Sequence, residues 1–207
     1  MNALLPVLPY HRAIVAVDIE GSTTRTNPVR AQLRRVLYEL LEEALLEAGI
    51  TDEHRDPLID RGDGILVLIH PVTQAPKTVL LSRVIPKLTG LLAQHAAEHP
   101  DHQFRLRAAV HAGDVHYDTR GCYGEDIDIT FRLLNSPTLK KTLKQTSEPL
   151  VLVVSQEIHR SVIRHGYDGI DVRAFDPRVH VQIAGQRVRG WIQIPGPRQS
   201  TEDGIAS

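Results

Sequence analysis

Ala13-Ile14-Val15-Ala16-Val17-Asp18-Ile19-Glu20-Gly21-Ser22-Thr23 is the stretch that decides the fold. An apolar, β-branched run ends in a carboxylate, and a small polar turn follows. The run is apolar at consecutive positions, which predicts a strand over Arg12 to Val17 buried on both faces. Asp18 then falls just past the end of a central strand, where open sheets place their ligands. A second piece answers it in Leu58-Ile59-Asp60-Arg61-Gly62-Asp63-Gly64-Ile65-Leu66-Val67-Leu68. Pro57 to Asp60 and Ile65 to Ile69 read as a hairpin whose turn, Arg61 to Gly64, carries another carboxylate. If the hairpin lies beside the first strand, Asp18 and Asp63 converge. Two hard oxygen ligands with room for phosphate oxygens are what Mg²⁺ uses in nucleotide enzymes. Asp and Gly are also the commonest turn residues, so Asp-Gly alone carries no function.

Outward from these two pieces the chain alternates helix and strand. Asn27-Pro28 starts a helix, with Asn27 able to cap it, and Leu33, Val36, Leu37, Leu40, Leu41, Ala44 and Leu45 form its buried stripe up to Gly49. A second helix is expected from Pro76 to His99, kinked or divided by Pro86. Phe104 to His111 alternates as a strand, and Gly113 begins a connection through Tyr117 to Tyr123. Helices follow over Gly124 to Leu134 and from Ser136-Pro137, the latter carrying Lys140, Lys141 and Lys144. Leu150 to Val154 is a strand, Ser155 caps a helix that closes at Gly166, and Val179 to Ile183 with Val188 to Ile194 form a last hairpin across residues 184–187. The order β-α-β-β-α-β predicts an α/β (α+β) sandwich with a ferredoxin-like core, extended by helices and a C-terminal hairpin. One domain over 12–197 is expected, between an irregular lead-in at 1–11 and a disordered tail at 198–207.

Bulk composition excludes several classes. Apolar content of 42% and charge of 24% are ordinary for a globular protein, and the net charge of −1 gives no reason to expect nucleic acid or an anionic membrane as partner. The single cysteine, Cys122, excludes an internal disulfide and is compatible with a reducing compartment. No signal-peptide pattern and no spanning apolar run is present, so the cytoplasm is the expected location. The 11 histidines scatter, and His111 and His116 read as structural. There is no P-loop, G-x-G-x-x-G or G-x-S-x-G motif.

Two further stretches can carry chemistry. In the loop Ile19 to Thr24, Gly21 permits close backbone approach, and Glu20, Gly21, Ser22 and Thr23 form either a phosphate cradle ahead of a helix or an ordinary strand-to-helix turn. In Tyr123-Gly124-Glu125-Asp126-Ile127-Asp128-Ile129-Thr130-Phe131-Arg132-Leu133, Asp128 and Arg132 share one helix face. They read either as an exposed ion pair or as a catalytic pair in which Arg132 stabilises charge on a phosphoryl group.

Together these pieces resemble the class III nucleotidyl cyclases, the adenylate and guanylate cyclase catalytic domains, from Arg12 to Arg164. Residues 17 to 23 are similar to the family's first metal-binding segment and Arg61 to Gly64 to its second. Leu106-Arg107-Ala108-Ala109-Val110-His111-Ala112-Gly113-Asp114-Val115 is similar to the strand before its dimer arm. Residues 123 to 133 are similar to its catalytic helix, which reads Gly-x-x-Val-Asn-x-Ala-x-Arg, and Val154 to Ile158 to the step after it. The resemblance implies a head-to-tail homodimer. One subunit would supply Asp18, Asp63 and the Ile19 carbonyl to two Mg²⁺ or Mn²⁺ ions, and the other Arg132. The ribose 3′-hydroxyl of a nucleoside triphosphate would attack its α-phosphate and expel pyrophosphate.

The sequence departs from that pattern in its base-reading half. Asp128 stands where the family has its catalytic asparagine. The positions of its purine-reading lysine and acid fall on Ile59 and Gly121, beside Tyr123. Its late phosphate-binding lysine has no clear counterpart, though Arg187 or Arg189 on the last hairpin can substitute. A base pocket of Ile59, Gly121 and Tyr123 offers few side-chain hydrogen bonds, which leaves a pyrimidine, or reading by backbone groups, open. Two functions follow: a cyclase of unassigned base, or a cyclase-like module that binds a nucleotide or a protein without turnover.

Overall fold

The computed structural model describes residues 8–196. At its centre is β1 (Tyr10–Ile19), followed by α1 (Asn27–Glu47) and the hairpin of β2 (Ile59–Asp60) and β3 (Gly64–Ile69). Helices α2 (Lys77–Val79) and α3 (Ile85–Glu98) lead to β4 (Leu106–Asp118) and β5 (Gly121–Tyr123). Then come α4 (Glu125–Leu134), α5 (Pro137–Gln145), β6 (Leu150–Ser155) and α6 (Gln156–Ser161). The hairpin β7 (Asp176–Ile183) and β8 (Gln186–Gln193) closes the described chain. The sheet order is β2-β3-β1-β4-β6-β8-β7, with β5 paired to β4. The antiparallel set β2-β3-β1-β4 is the expected ferredoxin-like core, and the parallel β4–β6 pair attaches the rest.

β1 is buried on both faces, as its unbroken apolar run requires. Val15, Val17 and Ile19 join the cluster of Leu37, Leu41, Leu88 and Leu92 from α1 and α3. Ile14 and Ala16 join Ile127, Leu133, Leu139 and Leu143 from α4 and α5. A fully buried aliphatic side chain is worth about 1.5–3 kcal/mol, and a one-residue slip would turn every one of them to the wrong face. The register is thereby locked, and Asp18 follows Ile14 and Ala16 onto the α4–α5 face.

Several boundaries differ from the sequence reading. β1 opens at Tyr10, within the expected lead-in, because β4 is long enough to pair Tyr10 with Val115. The rings of Tyr10 and Tyr117 also meet edge to face at 5.9 Å. Thr26, not Asn27, takes the cap position of α1. The stretch after Gly113 is no irregular connection: β4 continues to Asp118, whose carboxylate accepts from the amides of Arg120 (2.7 Å) and Gly121 (3.0 Å) and so turns the chain into β5. Ahead of Pro86, residues Leu80–Val84 form one π-helical turn between α2 and α3, consistent with a ring nitrogen that cannot donate to the preceding turn. The expected tail at 198–207 and residues 1–7 of the lead-in lie outside the described residues.

A chain of hydrogen bonds fixes α4 to the sheet. His111 Nε2 donates to Asp126 Oδ1 (2.8 Å), and the Asp114 amide donates to Asp126 Oδ2 (2.6 Å). On its other side the buried His111 ring meets the Ser155 hydroxyl (2.7 Å), which also caps α6 by accepting from the Ile158 amide. Gly113 makes this possible, since a Cβ there would overlap the Asp126 carboxylate. Burial pushes the Asp126 carboxyl up, but the bonds from His111 and Asp114 outweigh it and hold the group below its ordinary value. Its contribution to stability is therefore full above the ordinary carboxylate value, about 3.9, and is lost as the pH falls below that. Asp126→Asn should cost about 1–3 kcal/mol at pH 7. In urea denaturation the gap to the wild type should close on the acid side; a gap independent of pH would disprove the linkage.

Candidate active site

Asp18 lies opposite Gly64 in the β1–β3 register and opposite Arg107 in the β1–β4 register. Both neighbours matter. Glycine at 64 lets β3 close against β1, because a Cβ would overlap the Val17 carbonyl. The Ile19 amide donates to the Asp63 carbonyl (3.0 Å), which draws the hairpin turn to the end of β1. On the other side Arg107 pairs with Asp18 through Nη2, and Arg107 is only 9% exposed. Its Nη1 is buried without a hydrogen-bond partner.

The hairpin turn is braced from behind. Arg34 of α1 binds Asp60 through both ends of its fork (3.0 and 2.8 Å), and Asp60 accepts from the Gly62 amide (2.8 Å). The Arg61 amide closes the turn on the Gly64 carbonyl (2.9 Å). Asp63 therefore faces Asp18 from a fixed position. Burial raises the Asp18 pKa to about 6; Arg107 opposes this, while the charge and hydrogen bond of Asp63 add to it. Lys140 on α5 also acts on Asp18, from the same side of the sheet.

The loop after β1 is a tight turn over Ser22–Thr24 that opens at Gly21, whose φ is 64°. Ser22 is buried and its hydroxyl donates to the Asp63 carboxylate. Thr23 is exposed. Glu20 is held by Arg105 (2.9 and 2.6 Å), one step along the same β1–β4 edge as the Asp18–Arg107 pair.

Asp18, Asp63 and Arg107 line a cavity of about 500 Å³. Arg61, Phe131 and Asn135 line it too, and the same three line a larger groove of about 1040 Å³ that takes in Tyr123, Asp128, Arg132 and Gln182. Both Asp128 and Arg132 are exposed in that groove, and no ion pair joins them among the described residues. Tyr123 stacks on His116 at 5.3 Å and is 49% exposed. Ile59 is half-buried opposite Leu66, and Gly121 is exposed at the β4–β5 turn; neither lines the cavity or the groove. Arg187 is exposed opposite Gln182 at the end of the last hairpin and is not brought to the carboxylates within one chain. Arg189 lies over the Trp191 ring at 5.3 Å.

Arg107, Arg61 and Lys140 are the residues that sequence reasoning passed over. Arg107 carried a usable signal: an arginine inside a strand covered on both faces must meet a buried partner. Arg61 and Lys140 carried none, because a turn and an amphipathic helix both expose cations as a matter of course.

The two carboxylates offer hard, anionic oxygens, which suit Mg²⁺ or Mn²⁺. Among the described residues no three His, Cys, Asp or Glu side chains cluster as a complete metal site. A divalent ion here would take its remaining oxygens from backbone or from a bound phosphate.

This is the fold of the adenylate/guanylate cyclase catalytic domain. Solved structures that share it include an adenylate/guanylate cyclase/hydrolase from Silicibacter pomeroyi (TM-score 0.63, 19% identity, 90% of this chain and 98% of that one). The adenylyl cyclase CyaB from P. aeruginosa matches at TM-score 0.61 and 15% identity, over 94% and 98% of the two chains. The guanylate cyclase domain of RhGC from Catenaria anguillulae, solved in complex with GTP, matches at 0.58 and 10%, over 90% and 98%. No protein-family model matches the sequence, and no curated protein matches it. Among the described residues no helix is long and apolar enough to cross a membrane.

If Arg107 is the charge that keeps Asp18 ionisable, Arg107→Met should move the Asp18 pKa well above 6. Titration followed by ¹³C-carboxyl NMR reads this directly, and a value still near 6 would show that Arg107 does not set it.

Proposed function

We propose that the chain is a homodimeric, divalent-cation-dependent nucleotidyl cyclase that converts a nucleoside triphosphate to its 3′,5′-cyclic monophosphate and pyrophosphate. The observation that carries this reading is the convergence of Asp18 and Asp63 in one cavity, open to a groove that holds Asp128 and Arg132. Asp18 and Asp63, with the Ile19 carbonyl, would hold Mg²⁺ or Mn²⁺, two per site, and these ions would neutralise triphosphate charge and acidify the ribose 3′-hydroxyl.

The chain's own groups do the remainder. Arg107, released from Asp18, turns its fork to phosphate oxygens, and its unpartnered Nη1 is ready for them. The turn of Glu20, Gly21, Ser22 and Thr23 positions the phosphates, and Arg187 of the last hairpin would close on them from the second subunit. Arg132, also from the second subunit, stabilises charge on the α-phosphate as the 3′-oxygen bonds to phosphorus and the bond to pyrophosphate breaks. Asp128 accepts a hydrogen bond from the ribose and so aligns it. Head-to-tail pairing of two copies would set the carboxylate cavity of each against the groove of the other. One observation favours a second reading, a nucleotide- or protein-binding module without turnover: Asp128 is an exposed carboxylate that cannot donate and that adds negative charge near a triphosphate.

Purified protein incubated with Mn²⁺ or Mg²⁺ and ATP, GTP, CTP or UTP separately should yield a cyclic monophosphate and pyrophosphate by mass spectrometry. A confirmed dimer with no product from any of the four would leave the binding module. Asp18→Ala and Arg132→Ala should each be inactive, while an equal mixture should regain about a quarter of wild-type activity, one site in each mixed dimer. Two dead variants that stay dead when mixed would rule out a shared site.

A further inference from the structure

Asp18 is claimed from two sides. Arg107 donates to its Oδ2 through Nη2, while the same carboxylate lines the cavity in which a divalent ion would sit. Arg107 is only 9% exposed, and among the described residues Asp18 is its one ion-pair partner. It lies opposite Asp18 of β1 on one side and Val151 of β6 on the other, and it lines the cavity. Strands flank it on both sides, so the cavity is where its fork can turn. Nη1 of that fork is buried without a hydrogen-bond partner. The neighbouring carboxylate is also engaged, since Asp63 accepts from the Ser22 hydroxyl. A cation arriving at Asp18 thus meets an oxygen already taken. A buried guanidinium stripped of its carboxylate, in turn, needs another anion.

Resting on the cyclase reading, we propose that Arg107 is an internal stand-in for the metal: on Asp18 it keeps the cavity shut to free polyphosphate, and it passes to the phosphates only when a divalent cation takes the carboxylate. With Arg107 on Asp18, a polyphosphate entering alone meets a guanidinium already committed and, at Asp63, a carboxylate engaged by a neutral hydroxyl. With Asp18 taken by a cation, both Nη groups of the fork are left for phosphate oxygens, the bidentate arrangement that arginine suits. Linkage makes the effect reciprocal: a polyphosphate that draws Arg107 away gives Asp18 back to the cation. The site accepts a nucleotide together with its cation and holds neither well alone.

The test is calorimetry of inorganic tripolyphosphate in EDTA at pH 8, above the Asp18 pKa of about 6. It compares wild type, Asp18→Asn, Asp63→Asn, Arg107→Met and the double variant Asp18→Asn/Arg107→Met. Asp18→Asn and Asp63→Asn each remove one negative charge from the same cavity, but only the first frees Arg107. Without metal, Asp18→Asn should therefore bind tripolyphosphate about tenfold tighter than Asp63→Asn does. In the Arg107→Met background the gain from Asp18→Asn should shrink to the size of the Asp63→Asn gain in wild type. Two results overturn the proposal: equal gains from the two asparagines, which would mean that the acids merely repel polyphosphate, or an Asp18→Asn gain that survives whole in Arg107→Met. Should Arg107→Met fail to fold, the two isosteric asparagine variants decide by themselves. A wild-type control with Mn²⁺ separates the two readings. Tripolyphosphate bound with Mn²⁺, but with equal gains from the two asparagines in EDTA, strikes this proposal alone. Tripolyphosphate bound neither in EDTA nor with Mn²⁺ removes the cyclase reading, and this proposal with it.

Discussion

Two carboxylates held within hydrogen-bonding reach of each other repel, and burial makes the repulsion worse. Asp18 and Asp63 are kept in that arrangement by structure built around them: the locked register of β1, the missing Cβ at Gly64, the Ile19–Asp63 backbone bond and the Arg34–Asp60 brace. Arg107 and the Ser22 hydroxyl offset part of the cost. Burial first, and the Asp63 carboxylate after it, leave the Asp18 pKa raised to about 6 against the pull of Arg107. Strain of this kind is expected where a fold is organised to receive a cation.

The same logic explains how α4 is placed. Its apolar side packs on the sheet through Ile127, Leu133 and Leu134, but apolar contact alone permits sliding. The directional bonds among Asp126, His111, Asp114 and Ser155 remove that freedom. The polar side of α4 is then presented to the groove at one height, with Asp128 and Arg132 a turn apart. His111, structural from its sequence context, is structural in a specific sense: it couples the strand next to the carboxylates to the helix that lines the groove.

Charge is distributed unevenly between the two halves. The carboxylate cavity sets two acids against Arg107 and the influence of Lys140. The groove carries groups of both signs, Glu125 and Asp128 beside Arg61 and Arg132, together with the amides of Asn135 and Gln182, and Arg61 lies over the Phe131 ring.

Most of the fold was legible in the sequence. An unbroken apolar strand must be central, a helical stripe must face a sheet, and Asp-Gly between two apolar runs must turn. These are local consequences of burial and backbone sterics, and they led to β1, the β2–β3 hairpin, the divided helix at Pro86 and α4 with little error. The extension of β4 to Asp118 was missed because it depends on partners, Tyr10 and β5, that are remote or short. Asp18, Asp63, Asp128 and Arg132 could be named as candidates from their types and spacing, and the fold puts the first two on one cavity and the last two on the adjoining groove. Tertiary structure alone decided which cation sits against which acid. Arg107 and Arg61 have the same side chain two β-strands apart in the sheet, yet one is buried on Asp18 and the other lies open over Phe131. That difference is set by strand register and by the covering helices, which no local pattern encodes.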